Sequence, residues 1–313
     1  MNTESISRTP IIRIHDENIK NIYVKREDFI PYSFGGNKAR KAYGFFKEID
    51  AGDYDTVVTY GSSHSNHCRV VANMAARRNM QCLIIGPEEV SDITYNSKMM
   101  DIFGAEIVSV PVSEVHDTIE KTLSELKDNG RKPYFIQGGG HGDIGTQAYV
   151  DCYNEIKAYE EIEKKHFDYI FFASGTGTTQ AGLVCGQIIN RDDREIVGIS
   201  IARKNPRGRE VVLESITEYL DHQVVAYNRE DVEKKTIFID DYTGDGYGCG
   251  NKGIMDTIKQ QLVINGMPLD STYTGKAFYG MKEYIKSHNL SDKTILFIHT
   301  GGTPLFFDDL KNL

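Results

Sequence analysis

Cysteine is sparse in this 313-residue chain, and its cysteines are not arranged in pairs. The count is odd and no CxxC occurs; the five are Cys68, Cys82, Cys152, Cys185 and Cys249. A disulfide framework would need an even, regularly spaced set, so we expect reduced thiols in a cytoplasmic protein. Only Cys249, which lies in a glycine-rich loop, is a candidate for solvent exposure.

Long apolar runs and an excess of positive charge are also missing. The apolar runs, such as Tyr169–Ala173, are far too short to span a bilayer, and the first ten residues lack the apolar core of a secretory signal. The formal net charge is −9, and acidic and basic residues are interspersed without a basic stripe. We therefore predict a soluble protein with neither a membrane nor a nucleic-acid partner.

What the chain does contain is a regular alternation of short β-branched segments with longer amphipathic ones. The predicted strands are Thr56–Tyr60, Gln81–Gly86, Glu106–Val110, Pro133–Ile136, Tyr169–Ala173, Ile196–Ile201, Thr236–Ile239 and Thr294–His299. The predicted helices are Ser65–Arg78, Asp92–Phe103, Ser113–Asp128, Gly145–Lys165, Thr179–Asn190, Arg207–Tyr219, Asn251–Asn265 and Lys276–Ser287. This alternation favours a parallel α/β fold, in which ligands bind beyond the carboxyl ends of the strands. We predict a larger domain of residues 1–48 plus 145–313 and a smaller α/β domain of residues 49–144.

The segment Gly35–Lys41 places Lys38 directly after two glycines and an asparagine, with two further basic residues behind it. A Gly-Gly turn lets the lysine amine approach another backbone or a planar ligand. Nearby positive charge favours the free amine, which is the form that makes a Schiff base. By itself, the segment is more typical of a basic turn that leads into a helix.

A predicted strand runs into a Gly/Ser/Thr turn and a helix at Ser174–Leu183. Backbone N–H groups, hydroxyls and the helix dipole together make such a turn an anion site, and phosphate is the anion we predict. Gln180 replaces the last glycine of a dinucleotide fingerprint, and the Gly-Lys-Ser/Thr sequence of a P-loop is missing, so neither of those sites is indicated. The alternative is a tight turn capped by Thr178.

A second strand-to-helix junction spans Thr59–Arg69. Ser65 or Asn66 is suited to cap the helix, and the free N–H groups beyond it are suited to hold a substrate carboxylate. His64 and His67 have the i, i+3 spacing of metal ligands. No third or fourth ligand stands at a matching distance in the sequence, so we predict no metal. Helix capping alone is the structural alternative.

Two loops carry tyrosines, Tyr247 in a glycine-rich turn and Tyr273 just before a predicted helix. Each is either an active-site group or an ordinary packed aromatic. The last predicted strand is followed by Thr300 and a Gly-Gly turn, which again suits the close approach of a ligand.

These segments together resemble a known family. GGNKARK, SHSNH, SGTGTTQAGL, GDGYG, YTGKA and HTGGTP occur in the order and at about the spacing of the 1-aminocyclopropane-1-carboxylate deaminase and D-cysteine desulfhydrase family. The resemblance covers the chain from Val24 to Phe306. It implies a pyridoxal-phosphate enzyme with the two-lobed, parallel-sheet fold of the tryptophan-synthase-β type, a cofactor in the cleft between the lobes, and a homodimer.

The resemblance also implies roles for individual residues. Lys38 resembles the lysine that forms a Schiff base with pyridoxal phosphate, and Asn66 and Thr300 resemble the residues facing the pyridine 3′-oxygen and nitrogen. Ser65 resembles the serine near the substrate. The implied phosphate cup and the two implied active-site tyrosines are Gly175, Thr176, Gly177, Thr178, Thr179, Tyr247 and Tyr273.

Some positions bear on the substrate. Deaminases of the family carry a glutamate after the tyrosine of the YxGK segment, where this chain has Thr274, as in the desulfhydrase branch. His64 replaces a usual glutamine, and His141 and Asp143 enter the glycine-rich substrate loop. Our predicted substrate-binding residues are Ser65, His64, His67 and His141.

The predicted reaction is an α,β-elimination on a small amino acid, D-cysteine or a β-substituted D-alanine. Lys38 takes the α-proton as general base, and Tyr247 or Tyr273 assists the leaving group, which is hydrogen sulfide in the case of cysteine. Pyruvate and ammonia are the other products. The alternatives are a β-replacement synthase, a racemase, or a non-catalytic ligand-binding homologue.

Overall fold

The computed structural model describes residues 6, 8–88, 93–244, 246–248 and 250–313. The strands are β1 (Ile11–Arg13), β2 (Asn21–Arg26), β3 (Thr56–Tyr60), β4 (Gln81–Pro87), β5 (Glu106–Val110), β6 (Pro133–Ile136), β7 (Tyr169–Ser174), β8 (Glu195–Ser200), β9 (Ile237–Ile239) and β10 (Thr294–His299). The helices are α1 (Asn37–Ala51), α2 (Asn66–Ala76), α3 (Tyr95–Ile102), α4 (Val115–Asp128), α5 (Asp143–Glu163), α6 (Thr178–Ile189), α7 (Arg207–His222), α8 (Arg229–Lys235), α9 (Lys252–Asn265), α10 (Thr274–Ser287) and α11 (Thr303–Asp309). Over these residues, every helix is too short or too polar to cross a lipid bilayer.

The strands form two separate sheets. The larger has the order β1-β2-β10-β7-β8-β9, and the smaller has the order β5-β4-β3-β6. Every pairing is parallel except β1 with β2, which is antiparallel. The prediction of parallel α/β architecture is therefore confirmed. Buried apolar side chains line both faces of the larger sheet, as is usual when helices cover a parallel sheet on both sides.

Helix α1 packs against the smaller sheet. Its apolar face, including Phe45, Phe46 and Ile49, shares a buried cluster with Val57 and Ile84 of β3 and β4. The sequence interpretation places most of α1 with the larger domain. The domain boundaries at residues 48 and 145 remain a prediction.

Each strand that the alternation predicts is present, with its ends shifted by at most one residue. The elements that the sequence analysis missed are β1, β2, α1, α8 and α11. Both β2 and α1 carry buried charged side chains, Lys25, Arg26, Arg40 and Lys41, that hide the apolar pattern on which such predictions depend. Four cysteines are buried and reduced, and Cys249 lies outside the described residues.

An ion-pair network holds α1 in place. Arg40 Nε lies 2.5 Å from Glu27 Oε2, and Arg40 Nη1 lies 2.8 Å from Glu155 Oε1. Lys25 Nζ lies 2.6 Å from Glu155 Oε2. Burial raises the pKa of Glu27, but the charges of Arg40 and Lys25 outweigh it and bring that pKa to about 2. Glu27 therefore stays ionised across the neutral range, and the network anchors the helix that presents Lys38.

Candidate active site

Lys38 lies in the first turn of α1, directly beside the end of β10. Gly35 and Gly36 have φ values of +62° and +90°, a conformation that favours glycine. A Cβ on Gly36 would lie 2.6 Å from the carbonyl oxygen of Thr300. The N–H of Asn37 donates to the same oxygen at 3.0 Å. The Gly-Gly turn thus brings the start of α1 against the backbone of Thr300.

Two lysine amines of α1 meet at one carbonyl. Lys38 Nζ donates to Gly139 O at 3.0 Å, and Lys41 Nζ lies 3.5 Å from the same oxygen. Burial, helped by the charge of Arg203, lowers the pKa of Lys38 to about 8. Burial and the charge of Lys38 also lower the pKa of Lys41. Lys38 is therefore mostly protonated at pH 7, but it becomes a free amine at a much lower pH than an exposed lysine does. The sequence analysis did not single out Lys41.

The predicted phosphate cup stands beside these amines. Gly177 has a φ of +97°, and α6 begins after it without a side-chain cap, so the first N–H groups of the helix are left for a ligand. A Cβ on Gly139 would lie 2.5 Å from Thr176 Cγ2 and 3.2 Å from Lys38 Nζ. Thr179 Oγ1 accepts from Asn37 Nδ2 at 3.1 Å. The cup and the amines therefore adjoin across Gly139.

Thr178 does not cap α6, as the alternative interpretation of this turn required. It is the first residue of α6, and its Oγ1 lies 2.9 Å from His141 Nδ1. Its hydroxyl contacts a side chain of the Gly-rich loop and none of the helix N–H groups. His141 thereby lies at the predicted phosphate cup.

Helix α2 begins at the second predicted junction. Ser65 is its N-cap, and its Oγ accepts from the N–H of Cys68 at 3.1 Å, which confirms the capping prediction. Asn66 Oδ1 accepts from Asn96 Nδ2 at 3.0 Å. Because that oxygen is already engaged, the Nδ2 hydrogens of Asn66 are the ones left to donate to a ligand.

A buried relay, formed by Asn66, Asn96 and Arg69, supports this amide. Asn96 Nδ2 also donates to the carbonyl oxygen of His64 at 2.9 Å, and Arg69 Nη1 donates to Asn96 Oδ1 at 3.2 Å. Within the described ranges, Arg69 Nε and Nη2 have no hydrogen-bond partner, although the side chain is fully buried. The sequence analysis missed Asn96. Arg69 could have been found from the sequence, because a charged residue three positions after Asn66 lies on the same side of a helix as Asn66.

The two predicted tyrosines lie together. Their hydroxyl oxygens are 2.5 Å apart, and their rings meet edge to face with centroids 5.8 Å apart. Burial raises the pKa of both phenols, so both are protonated at neutral pH. The hydroxyl of Ser62, at the start of the α2 junction, also hydrogen-bonds Tyr247. Cys68 lies close enough to contribute to the pKa shifts of Lys38 and of both tyrosines.

His67 does not face the cleft. Its Nε2 lies 2.9 Å from Thr59 Oγ1, and that hydroxyl donates its own proton to the carbonyl oxygen of Ile136. His67 is therefore the donor in this contact. Burial lowers its pKa well below the usual value, with the charges of Lys38 and Lys41 adding to the effect. This neutral imidazole is part of the smaller sheet's core and does not act as a substrate contact.

His64 and Asp143, which also depart from the family pattern, lie in different parts of the structure. His64 is partly buried beside Ser63, with 3.1 Å between Nδ1 and Oγ, and stays near Ser65. Asp143 begins α5 and pairs with His222 at 2.7 Å on the outer surface. The expectation that Asp143 lies at the substrate side chain is wrong, because the start of α5 turns its carboxylate outward.

The comparisons with known proteins decide the family. The model of the family described as "Pyridoxal-phosphate dependent enzyme" matches residues 3–301. This chain belongs to that family. The pyridoxal-phosphate enzymes similar to it include D-cysteine desulfhydrase of Yersinia pestis (strain Pestoides F), 31% identical over 94% of this chain and 90% of the relative. A putative 1-aminocyclopropane-1-carboxylate deaminase of Pyrococcus abyssi is 34% identical over 94% of this chain and 88% of the relative.

A solved structure supports the same conclusion for the fold. The crystal structure of an ACC deaminase homologue superposes with a TM-score of 0.86 at 31% identity, covering 98% of this chain and 93% of the other. An O-ureido-L-serine synthase shares the fold at a TM-score of 0.69 and 18% identity. The predicted tryptophan-synthase-β fold type, the pyridoxal-phosphate cofactor and lyase chemistry of the deaminase and desulfhydrase kind are thereby confirmed.

The residues present fit this cofactor. The uncapped start of α6 and the buried amine of Lys41 suit a phosphate group, and the desolvated amine of Lys38 suits an aldehyde. The donor amide of Asn66 suits a phenolic oxygen. These groups come from the start of α6 after β7, from the first turns of α1, and from the start of α2 after β3.

Proposed function

We propose that this enzyme catalyses α,β-elimination on D-cysteine or another β-substituted D-alanine, giving pyruvate, ammonia and the leaving group. The observation that carries the proposal is the hydroxyl pair of Tyr247 and Tyr273, protonated and grouped with Lys38 around Cys68. The name of the Yersinia relative supports the same substrate. The residues we propose to contact the cofactor are Lys38, Lys41, Asn66, Gly175, Thr176, Gly177, Thr178, Thr179 and Thr300.

The first half of the reaction needs a base and a carboxylate site. Bound pyridoxal phosphate draws electrons from the amino acid attached to it and so makes the α-hydrogen acidic. Lys38, with its pKa near 8, is poised to take that proton close to neutral pH. The N–H groups at the start of α2 and the hydroxyl of Ser65 are placed to hold the substrate carboxylate.

The second half needs an acid. When the Cβ–S bond breaks, the sulfur leaves with the electron pair and requires a proton. The tyrosine pair supplies it, because one hydroxyl donates to the sulfur while the other hydrogen-bonds the oxygen left behind. Hydrolysis of the remaining three-carbon unit gives pyruvate and ammonia.

Thr274 favours elimination over opening of a cyclopropane ring. It is fully buried, its Oγ1 donates to Asp270 Oδ2 at 2.7 Å, and the N–H of Asp270 donates back to Oγ1 at 3.0 Å. A glutamate here would place a second carboxylate against the buried Asp270, which like-charge repulsion opposes. This position therefore offers a ring-opening substrate no acid or base.

Pyruvate release, coupled to lactate dehydrogenase, tests the proposal. The substrates are D-cysteine, L-cysteine, D-serine, β-chloro-D-alanine and 1-aminocyclopropane-1-carboxylate. We expect turnover of the D-amino acids with a good leaving group, none of the cyclopropane, and loss of turnover in Lys38→Ala but not in Lys132→Ala, which changes an exposed lysine. A change in the cofactor spectrum without pyruvate from any of them would refute elimination and favour replacement or racemisation.

We further propose that the enzyme is cytoplasmic and a homodimer. The reduced, buried cysteines support the first, because thiols persist in a reducing compartment. Light scattering on the purified chain measures the second, and a mass of one chain would contradict it.

A further inference from the structure

Lys276 is a buried cation in the first turn of α10. Its side chain is fully buried, and its Nζ donates to the carbonyl oxygens of Ile201 at 3.0 Å, Thr243 at 2.8 Å and Gly246 at 2.8 Å. These oxygens come from the end of β8 and from two points of the loop before Tyr247. We call the three oxygens the carbonyl cage.

Helix stability does not explain this lysine. The N-terminus of a helix carries partial positive charge, so a cation in the first turn is opposed by the macrodipole. Burial adds a desolvation cost to the ammonium. Three carbonyl dipoles pointing at one site favour the ammonium there, in the way that carbonyl oxygens replace the water shell of a potassium ion.

The cage connects the two halves of the tyrosine pair. Gly246 immediately precedes Tyr247 in the loop, and Tyr273 is the N-cap residue directly before α10. The Lys276 ammonium on α10 therefore joins the loop that carries Tyr247 to the helix that directly follows Tyr273. The hydroxyls that these two segments carry are 2.5 Å apart.

We propose that Lys276 is a positioning residue that sets the Tyr247–Tyr273 pair, and that the carbonyl cage accepts an alkylammonium or potassium ion when the lysine side chain is removed. The first part rests on the proposed function, because it assigns the pair to protonation of the leaving group. The second part is independent of any substrate.

Three variants separate the charge from the packing. Lys276→Ala removes three carbons and the amine, which is the shape of n-propylammonium. Lys276→Met keeps the apolar stem and removes only the charge, so it leaves no room for that ion. Lys282→Ala is the matched control on the same helix, because Lys282 contacts Asp16 and Gln260 and does not reach the loop.

Two substrates separate positioning from general damage. The thiolate of D-cysteine needs a proton as it leaves, whereas the chloride of β-chloro-D-alanine does not. For both Lys276 variants we expect kcat on D-cysteine to fall about 100-fold, as for a misplaced catalytic group, with a much smaller loss on β-chloro-D-alanine and little change in KM. n-Propylammonium should restore most of the D-cysteine turnover in Lys276→Ala and none in Lys276→Met.

Thermal unfolding of the holoenzyme provides the readout that does not use turnover. At equal ionic strength, n-propylammonium or potassium chloride should raise the Tm of Lys276→Ala relative to choline chloride, and leave wild type and Lys282→Ala unchanged. Equal losses on the two substrates, full activity of Lys276→Met, or the same ion response in all variants would overturn the proposal. If wild type turns over neither substrate, the proposed function fails, while the Tm series still tests the cage.

Discussion

The replacement Asn96→Leu tests how far the cofactor site depends on its buried support. Asn96 is fully buried on α3, and leucine has a similar size but no polar atoms. The change removes the hydrogen bonds to Asn66 Oδ1 and to His64 O and the one received from Arg69 Nη1. None of these three groups is on the same helix as Asn96.

The expected cost follows from those three contacts. A buried polar group that loses its partner costs about 1–3 kcal/mol, so three of them should lower the free energy of unfolding by at least about 3 kcal/mol. Of the three groups, the Arg69 guanidinium should be destabilised most by losing its hydrogen bond, since burial already lowers its pKa to about 9. A rotating Asn66 amide should also weaken cofactor binding by about tenfold, which corresponds to about 1.4 kcal/mol.

Urea unfolding measures the first effect, and a spectrophotometric titration of the apoprotein with pyridoxal phosphate measures the second. Ser97→Ala is the control on the same helix. It breaks the capping box that Ser97 forms with Thr94, which should cost about 1 kcal/mol and leave the cofactor Kd unchanged. If Asn96→Leu loses no more stability than this control, or binds the cofactor equally well, the relay does not support the site.

Three further predictions concern the reacting groups. In the apoprotein, the rate of Lys38 acylation should rise with pH through about 8, because burial lowers the pKa of Lys38 below the roughly 10.4 of exposed lysines. Competitive labelling with peptide mapping measures the midpoint of that rise, and a midpoint near that of exposed lysines would contradict the assignment. Tyr247→Phe should slow D-cysteine elimination by about 100-fold and spare β-chloro-D-alanine, and the coupled pyruvate assay would expose equal losses as an error. Thr274→Val should cost about 1.5–3 kcal/mol in urea unfolding, since it removes a hydrogen bond to the Asp270 carboxylate, and an unchanged midpoint would show that the bond contributes nothing.

Much of the fold was predictable because its signals are local. The β-branched runs marked strands such as β3 and β10 to the residue, and the parallel arrangement followed from their alternation with helices. The missed β2 and α1 show where that reasoning ends. Their buried charges, Lys25 and Arg40, are stable only because Glu27 and Glu155 meet them from elsewhere in the chain, and hydropathy cannot show that.

The sequence by itself determined the positions of a tight backbone turn and of a helix start. Gly36 needs its positive φ, Ser65 caps α2, and Lys38 follows the Gly-Gly turn, each from residues adjacent in the chain. The same local reasoning placed His67 in the cleft, because it cannot tell which way a side chain points.

Only the tertiary structure decided which polar groups lose contact with water and what they meet instead. His67 turns to Thr59, and the pair of tyrosine hydroxyls forms across 26 residues of chain. Lys41 and Lys276 read in the sequence like any surface lysine, yet both are buried against carbonyl oxygens. Burial and partner are properties of the packed chain, and they set the pKa and the hydrogen bonds on which the chemistry of Lys38 and the tyrosines depends.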